Sequence, residues 1–366
     1  MGDLIFKRIS YSELQGGRLI EYSDKYGLLS KYLSPSIRNA LLTNPNIIDY
    51  SKSALNLLIC DGEIVGRNML MPTAIKIKEK TVLVQSGGSY EICEQYQGKK
   101  LGTYIFKDSI FNSEYPIYIG QLYSSGASSI LRKMDLCFLE KPLYFKLCKV
   151  RSVLASKGYK GLLLSLLSFF GDMWLKIGNI KNWLKYIRLK KKYSIQSEKT
   201  IPLWVDNLTL HDGHKYMEIH DHKWLQWNLD HVFSENKVDK NFFYAVYDKK
   251  KNPVGFFMTK ERFEENKNGI FKNLIRGTIV EWGSIDETVL SEVDLNLLAL
   301  FSFSKKVDKI NTVISTNGIE DSIKQIGFSY RGMYLMTIKL CQNYDDDILN
   351  LDCWRIRYGG CNTILV

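Results

Sequence analysis

Apolar runs and turn signals alternate along the first 150 residues, and their spacing predicts a hairpin followed by a longer strand. Residues 54–60 form an apolar run typical of a buried strand, Asp61-Gly62 is a turn signal, and residues 63–71 supply the returning strand. A strand over 81–93 is interrupted by Gly87-Gly88, which predicts a bulge or a close backbone approach. The elements that complete this half are a helix from Leu101, a strand at 116–122, a helix at 127–134 and a strand at 139–147.

The second half of the chain, from about residue 201, repeats this order with different residues. Its hairpin consists of residues 242–247 and 254–259 around a turn. The other predicted elements are a helix at 221–233, a strand at 278–282, a helix at 293–305, a strand at 309–315, a helix at 319–326 and a strand at 330–339. The repetition indicates an internal duplication. We therefore predict an α/β (α+β) protein of two domains, each with a mixed, mostly antiparallel central sheet flanked by helices.

A helical connector is predicted between the two halves. Residues 161–171 form an apolar run that is well short of the ~20 residues needed to cross a bilayer. From Met173 to Ile187 apolar residues recur at helical spacing, with lysines and arginines one position along, which is typical of an amphipathic helix. The predicted divisions of the chain are a domain at 1–150, the connector at 151–198, a domain at 199–340 and a tail at 341–366.

The connector region carries the net charge of the protein. The whole chain has a formal charge of +11, and residues 141–192 alone contain thirteen Lys or Arg residues against one acid, Asp172. Three interpretations stay open: an apolar stripe packed between the domains with its basic flank in solvent, a helix on an anionic membrane surface, or RNA binding without a recognised motif.

Cysteine usage and the start of the chain favour the cytoplasm. The seven cysteines include no C-x-x-C pair, which argues for free thiols in a reducing compartment. Residues 1–10 lack the apolar core of a secretory signal. We expect a cytoplasmic protein, peripheral at the inner membrane face if the connector meets lipid.

A glycine-containing loop precedes the helix that starts at Leu101. It reads Gln97-Gly98-Lys99-Lys100-Leu101-Gly102. Backbone N–H groups at a helix N-terminus bind a diphosphate well, small residues allow close approach, and lysines add positive charge. The loop and the order of elements around it resemble those of the GNAT acyltransferases, in particular their tandem members, whose acyl-CoA loop has the pattern Q/R-x-x-G-x-G/A. Lys100 stands where that pattern has its first glycine.

The resemblance implies roles for residues in and beside the loop. The implied acyl-CoA contacts are Cys93, Gln97, Gly98, Lys99, Lys100, Leu101, Gly102 and Thr103. The family places a base just before the loop, where this chain has Glu91, which we prefer, and Glu94; both are also consistent with solvated edge residues. The family's tyrosine acid is missing, with Leu131 at its position in the first half. Tyr123, Ser124 or Ser125 would have to substitute, or solvent would protonate the thiolate.

The second half has an acidic segment where the first half has its loop. Residues 284–294 carry several carboxylates, which repel a polyphosphate, so we expect this half to lack CoA binding and to help form the acceptor cleft. All five histidines lie between His211 and His231 without a compact ligand set, and no metal site is expected. We predict His222, Trp224 and Trp227 as acceptor contacts, with core packing as the alternative for the tryptophans.

The predicted function is an acyl-CoA-dependent N-acyltransferase. Its co-substrate would be acetyl-CoA or another acyl-CoA, and its acceptor a small or lipid-linked amine such as an amino sugar in surface polysaccharide assembly. A Fem-like aminoacyl-tRNA-dependent ligase shares the tandem fold and is the enzymatic alternative; only there is a nucleic acid, tRNA, expected as a partner. A non-catalytic GNAT-like binding scaffold is the third hypothesis.

Overall fold

A computed structural model describes residues 3–17, 22–30, 33–121, 125–134, 136–232, 236, 238–265 and 273–360. The strands of the N-half and connector region are β1 (Leu4–Ser10), β2 (Ser53–Cys60), β3 (Glu63–Ile77), β4 (Lys80–Ile92), β5 (Ile117–Gln121), β6 (Cys137–Leu147) and β7 (Ser194–Glu198). Those of the C-half are β8 (Tyr216–Glu218), β9 (Lys240–Tyr247), β10 (Pro253–Glu264), β11 (Leu274–Ser284), β12 (Lys309–Val313), β13 (Ser329–Leu340) and β14 (Trp354–Arg355).

Helices follow the strands in the same order in both halves. The helices up to the end of the connector are α1 (Tyr11–Gly16), α2 (Pro35–Leu42), α3 (Leu101–Phe111), α4 (Ser125–Leu131), α5 (Arg151–Ser156), α6 (Gly161–Gly178) and α7 (Ile180–Lys192). Those of the C-half are α8 (Val205–Leu210), α9 (His222–Asp230), α10 (Glu292–Leu300) and α11 (Glu320–Gln325). We refer below to residues 3–150 as the N-half and to residues 194–360 as the C-half.

The strands form a single mixed, mostly antiparallel sheet that runs through both halves. Their order is β1-β2-β3-β4-β5-β13-β6-β12-β11-β10-β9-β7, with β8 paired to β3 and to β14. The pairs β4–β5 and β11–β12 are parallel and occupy equivalent places in the two halves. A mixed, mostly antiparallel sheet flanked by helices was predicted and is confirmed, but the two halves contribute to one sheet and do not each have their own.

The two halves share a pair of strands at the centre of this sheet. Strand β13, from the end of the C-half, lies between β5 and β6 of the N-half and is antiparallel to both. Strand β6 in turn lies between β13 and β12, to which it is also antiparallel. Each half therefore completes its part of the sheet with the last long strand of the other. The boundaries predicted at residues 150 and 198 stay predictions.

Alternation along the strands places apolar side chains on both faces of the sheet. On β3, Met69 and Met71 join one large core, whereas Leu70 faces a smaller one under α3 and α4. The large core extends under both halves, and helices α1, α2, α8 and α9 cover it. Trp227 of α9 donates from its indole N–H to the carbonyl of Ala40 in α2 at 2.8 Å, so these helices also join the two halves.

Most predicted elements are present, within a few residues of the expected ends. Segments with few or interrupted apolar residues were not predicted, among them β1, α1, α2, β7 and the short β8. In the connector the helix is interrupted at Asn179, which separates α6 from α7, and α6 begins at Gly161. The predicted connector region is thus helical, in two main segments, and its role as a connector between domains stays a prediction.

A buried polar network lies where the two halves meet. The Glu218 carboxylate, on β8, accepts from Thr73 Oγ1 at 2.9 Å and from Gln121 Nε2 at 3.0 Å. The amide oxygen of Gln121, at the end of β5, accepts from the Tyr334 hydroxyl of β13 at 2.8 Å. These contacts join four strands, β3, β5, β8 and β13, and each buried polar group gains a partner.

The same network contains an imidazole between carboxylates. His220 is fully buried and its Nδ1 contacts the carboxylate of Glu281, which also pairs with Arg357 at 2.6 Å. Burial alone would lower the pKa of His220, but the neighbouring Glu281 and Glu218 outweigh burial and raise that pKa above its ordinary value. The folded protein therefore binds a proton at His220 more tightly than the unfolded chain does.

Strand sharing predicts that neither half folds alone. A fragment of residues 1–150 lacks the strand between β5 and β6, and a fragment of residues 194–366 lacks the one between β12 and β13. We expect each fragment to give a poorly dispersed NMR spectrum and no cooperative unfolding, and co-expression to restore a soluble complex. A separately expressed N-terminal fragment with a cooperative thermal transition would contradict this expectation.

Replacing His220 is expected to change how stability depends on pH. Because its pKa is raised in the folded state, the stabilisation is fully present below the unfolded value of about 6.5 and is lost as the pH rises through the folded value. From pH 6 to pH 9 the urea midpoint of the wild type should fall more than that of His220→Gln. His211→Gln, at an exposed histidine, is the matched control and should keep the wild-type slope. Equal slopes for wild type and His220→Gln would contradict the assignment.

Candidate active site

Strand β4 has a bulge at the position where the sequence suggested one. Its register against β3 shifts between Arg67 and Met69, and Ser89 adopts a positive φ of 48°. The buried guanidinium of Arg67 donates to the Ser89 carbonyl at 2.6 Å and to the Glu91 carboxylate at 2.6 Å. The side chain of Arg67 therefore fixes the bulge and the direction of the strand beyond it.

The described pairing between β4 and β5 ends two-thirds of the way along β4. The last pair is Gly87 with Gly120, whereas β4 continues to Ile92. Gly87 is required there, because a Cβ at this position would collide with the phenol of Tyr118. The backbone of β4 beyond Gly87 borders a cavity that reaches across to α4.

The predicted loop connects β4 to α3 through a short 3₁₀ turn at Glu94–Tyr96. Gln97 closes the turn by donating from Nε2 to the Ile92 carbonyl at 3.0 Å. Gly98 and Lys100 both have positive φ, of 78° and 63°. Lys100 thus has a left-handed backbone conformation, which glycine adopts at lower cost. This agrees with the sequence comparison, in which Lys100 occupies the position of a glycine in the motif.

The loop and its neighbours enclose a cavity of about 800 Å³, named here the glycine-loop cavity. Helix α3 opens into it with its N-terminus, and the N-cap residue supplies no side-chain hydrogen bond to the first amides. The lining residues come from β4, the loop, α3 and α4 and include Tyr90, Glu91, Ile92, Tyr96, Gln97, Gly98, Lys100, Leu101, Gly102, Thr103, Lys107, Ala127, Ile130 and Lys133. Positive charge and helix-terminal amides therefore converge on one space.

Most residues predicted to contact acyl-CoA lie in this wall, but two do not. The ammonium group of Lys99 lies 4.7 Å from the centre of the Tyr96 ring, outside the cavity lining. Cys93 is buried and borders a neighbouring cavity together with Glu94. The positions of Lys99 and Cys93 do not support a direct contact with the donor. That contact stays a prediction for both residues.

Lys107, Lys133 and Tyr90 are among the residues of the wall that sequence reasoning missed. Lys107 lies one helical turn after Thr103 on the same face of α3, a spacing that could have identified it. Lys133 follows α4 and is positioned by the packing of α4 on α3, for which the sequence carries no local signal. Tyr90 stacks on Phe106 with ring centres 4.0 Å apart.

Tyr90 and Gly102 fit against each other at the start of α3. A Cβ on Gly102 would collide with the Tyr90 hydroxyl, so the phenol can lie here only because residue 102 is glycine. Burial raises the pKa of Tyr90 to about 12, so the hydroxyl keeps its proton at neutral pH.

The candidate catalytic residues lie in different surroundings. Glu91 borders the glycine-loop cavity and forms its ion pair with Arg67. Glu94 is exposed in the 3₁₀ turn and faces away from that cavity. Tyr123 and Ser124 lie outside the described residues. The choice of a general base or acid stays a prediction.

Helix α10 of the C-half corresponds to α3 of the N-half, and it starts with a carboxylate. Glu292, the first residue of α10, is fully buried, and its side chain accepts from the backbone N–H groups of Ser315 and Thr316 at 3.0 and 2.8 Å. Burial raises the pKa of Glu292 above its ordinary value. The carboxylate of Glu292 thus accepts hydrogen bonds from two backbone N–H groups that follow β12.

A second cavity of about 890 Å³, the C-half cavity, opens beside β10 and β11. Its wall includes Trp204, Asn207, His211, Asp212, His214, Phe256, Glu287, Asp352, Arg355 and Arg357. Arg355 contacts Asp212, pairs with Glu287 at 2.6 Å and lies 4.3 Å over the Trp282 ring. Charges of both signs are therefore fixed around this space.

The predicted acceptor contacts lie elsewhere. Trp224 and Trp227 are core residues, 1% and 5% exposed, and Trp224 stacks on His220 with ring centres 3.7 Å apart. His222 pairs with Asp206 at 2.6 Å. The burial of the tryptophans favours the core-packing alternative, and the histidines that border the C-half cavity are His211 and His214.

Known protein structures resemble this chain in their fold. The sequence matches no protein-family model and no curated protein. N-myristoyltransferase of Saccharomyces cerevisiae, solved with bound myristoyl-CoA and inhibitors, overlays with a TM-score of 0.56 at 11% identity, covering 93% of this chain and 80% of that one. A probable N-acyltransferase of unknown function from Enterococcus faecalis gives a TM-score of 0.51 at 10% identity, covering 93% and 73%. The chain has the tandem GNAT fold of these structures.

Proposed function

We propose that the protein transfers an acyl group from acyl-CoA to an amine acceptor. The observation that carries this proposal is the glycine-loop cavity, into which α3 opens with its N-terminus between Lys100, Lys107 and Lys133. Solved structures with the same fold include an enzyme that holds myristoyl-CoA. The nature of the acyl group and the amino-sugar acceptor stay predictions.

The start of α3 suits the diphosphate of the donor. The first amides of a helix point out of its N-terminus, and the aligned peptide dipoles add positive potential there. Lys107 and Lys133 are exposed side chains at the cavity wall and supply mobile cations beside these amides. Lys100 keeps the loop turn that a glycine would make and adds a third charge.

The remainder of the donor would follow β4. The described pairing of this strand with β5 ends at Gly87, and Tyr90, Glu91 and Ile92 beyond it border the cavity. The pantetheine arm of CoA carries two amides, which can hydrogen-bond to an extended backbone as a neighbouring strand does. The thioester would then lie near Gly87 and Gly120, the last described pair between β4 and β5.

Acyl transfer at that point requires an uncharged amine. The amine nitrogen attacks the thioester carbonyl, the carbon–sulfur bond breaks, CoA leaves as a thiolate, and the nitrogen loses a proton. Glu91 borders the cavity and is held by Arg67, so it is our preferred group for positioning or accepting that proton.

The acceptor would enter from the C-half cavity. Gln121 ends β5 next to Gly120 and is hydrogen-bonded to Glu218, whose backbone carbonyl accepts from Arg357 in the cavity wall at 3.3 Å. One chain of contacts thus connects the C-half cavity to the last described pair between β4 and β5. These positions support the proposed division of labour between a donor-binding N-half and an acceptor-binding C-half.

Binding of CoA is the direct test. At a hundred times its Kd a ligand adds about 2.7 kcal/mol to stability, so CoA and acyl-CoA should raise the melting temperature clearly. The double variant Lys107→Gln/Lys133→Gln should weaken the Kd roughly three- to thirty-fold, since each charge at a helix N-terminus site contributes about 0.3–1 kcal/mol. Isothermal titration calorimetry measures the Kd.

The matched control is Lys249→Gln/Lys250→Gln, two exposed lysines in the turn between β9 and β10, which should bind CoA like the wild type. No shift at millimolar CoA would contradict the proposal and leave the aminoacyl-tRNA-dependent ligase, identified by binding of charged tRNA, or the scaffold.

Gly102→Ala tests the geometry of the helix start. The added Cβ displaces Tyr90 from its stack on Phe106 and moves it into the cavity. We expect about 1–3 kcal/mol of destabilisation from overpacking and loss of the CoA-induced thermal shift. Gly16→Ala, in α1, has nothing within 4 Å of the added Cβ and should keep the shift. Full CoA affinity in Gly102→Ala would place the donor elsewhere.

A further inference from the structure

Helix α6 exposes a large apolar surface. Leu162 and Trp174 are each 77% exposed, and the neighbouring apolar side chains on the helix are also open to solvent. The exposed apolar residues of α6 and the start of α7 are Leu162, Leu163, Leu166, Leu167, Phe169, Phe170, Met173, Trp174, Ile177, Ile180, Trp183 and Leu184. Contiguous apolar surface of this extent marks an interaction site.

One narrow face attaches α6 to the rest of the molecule. Ser168 is buried, and Gly171 packs so closely on Val150 that a Cβ would collide with it. The carboxylate of Asp172 accepts from the Val150 backbone N–H at 2.9 Å, and Asn179 accepts from Lys146 at 3.0 Å. These contacts attach α6 to the protein from its middle to its C-terminal end, and its apolar side chains face outward.

Positive charge surrounds this apolar side. Residues 141–192 contain thirteen Lys or Arg residues and a single acid, Asp172, which is engaged with Val150. The exposed basic residues around α6 and along α7 are Arg151, Lys157, Lys160, Lys176, Lys181, Lys185, Arg188, Lys190, Lys191 and Lys192. Such a border is complementary to a surface of negative charge.

We propose that α6 and α7 form an interfacial anchor that docks the protein on an anionic lipid leaflet. A leaflet offers what both features need: acyl chains for the leucine and phenylalanine side chains, and anionic headgroups for the lysines. Trp174 and Trp183 are exposed beside the basic residues, and tryptophan is enriched at the boundary between chains and headgroups.

The anchor lies in the plane of the leaflet. By length and composition α6 could cross a membrane, since its 18 residues extend about 27 Å. The contacts of Gly171 and Asp172 with Val150, however, keep one side of the helix against the protein at its middle. A helix attached in this way presents its outer face to the leaflet.

Vesicle flotation of the full chain tests the anchor without reference to acyl-CoA. Vesicles of phosphatidylcholine with 30% phosphatidylglycerol are compared with pure phosphatidylcholine in 50 mM and in 500 mM NaCl. We expect the protein to float with the anionic vesicles at low salt, and its apparent partition coefficient to fall at least tenfold in 500 mM NaCl or without phosphatidylglycerol.

Two pairs of variants separate the apolar and charged contributions. Leu162→Glu/Leu166→Glu should lower partitioning roughly a hundredfold, because two inserted leucines are lost and two negative charges face the headgroups. Lys181→Gln/Arg188→Gln should lower it roughly thirtyfold at low salt and little at high salt. Ile48→Glu, also at a 77% exposed apolar side chain, and Lys249→Gln/Lys250→Gln are the matched controls and should float like the wild type.

Fluorescence adds a second readout. The emission of the wild type should shift to shorter wavelength on anionic vesicles, and Trp174→Phe should reduce the shift of the protein that remains bound. The proposal is overturned if the wild type does not float with anionic vesicles at 50 mM NaCl, or if Leu162→Glu/Leu166→Glu floats as well as the wild type. It is also overturned if that variant instead converts a dimer to a monomer in sedimentation, which would assign the face to a second copy of the chain.

Discussion

Backbone hydrogen bonds among β5, β13, β6 and β12 tie the two halves of the chain into one sheet, and the positions of both cavities depend on this pairing. Strand β13 completes the N-half beside β5, which places Tyr334 within reach of Gln121 at the end of that strand. Gln121 in turn holds Glu218, so the segment that borders the C-half cavity is anchored to the N-half. The two cavities thus keep a fixed relation because the strands that position them are shared.

The duplicated elements have diverged in charge at the same structural position. In the N-half the chain between β4 and α3 turns through Gly98 and Lys100 and leaves the start of α3 open to a cavity bordered by lysines. In the C-half the first residue of α10 is Glu292, and its buried carboxylate binds the amides of Ser315 and Thr316. The start of α3 is therefore open to an anionic ligand. The start of α10 instead carries an acidic residue and is capped by Ser291, whose hydroxyl accepts from the Asp294 N–H at 3.2 Å.

The sequence predicted the elements well because each depends on local periodicity. Apolar runs bounded by turn residues identified β2, β3 and the hairpin of the C-half, and the Gly87-Gly88 pair correctly marked the bulge in β4. The sharing of β6 and β13 could not be predicted, since periodicity shows which face of a strand is buried and not which strand lies beside it. For the same reason Lys133 was missed, and the spacing of Trp224 and Trp227 did not by itself separate a binding platform from core packing, which was already the simpler explanation.

A crystal structure with a non-hydrolysable thioether analogue of acyl-CoA tests the central claim most directly. The account predicts diphosphate oxygens about 2.7–3.2 Å from backbone nitrogens between Gln97 and Thr103, with Lys107 and Lys133 beside them. The acyl carbon should lie near Gly87 and Gly120, where the pairing of β4 and β5 ends. A nucleotide bound in the C-half cavity, or a glycine-loop cavity that stays empty in the presence of the analogue, would contradict it.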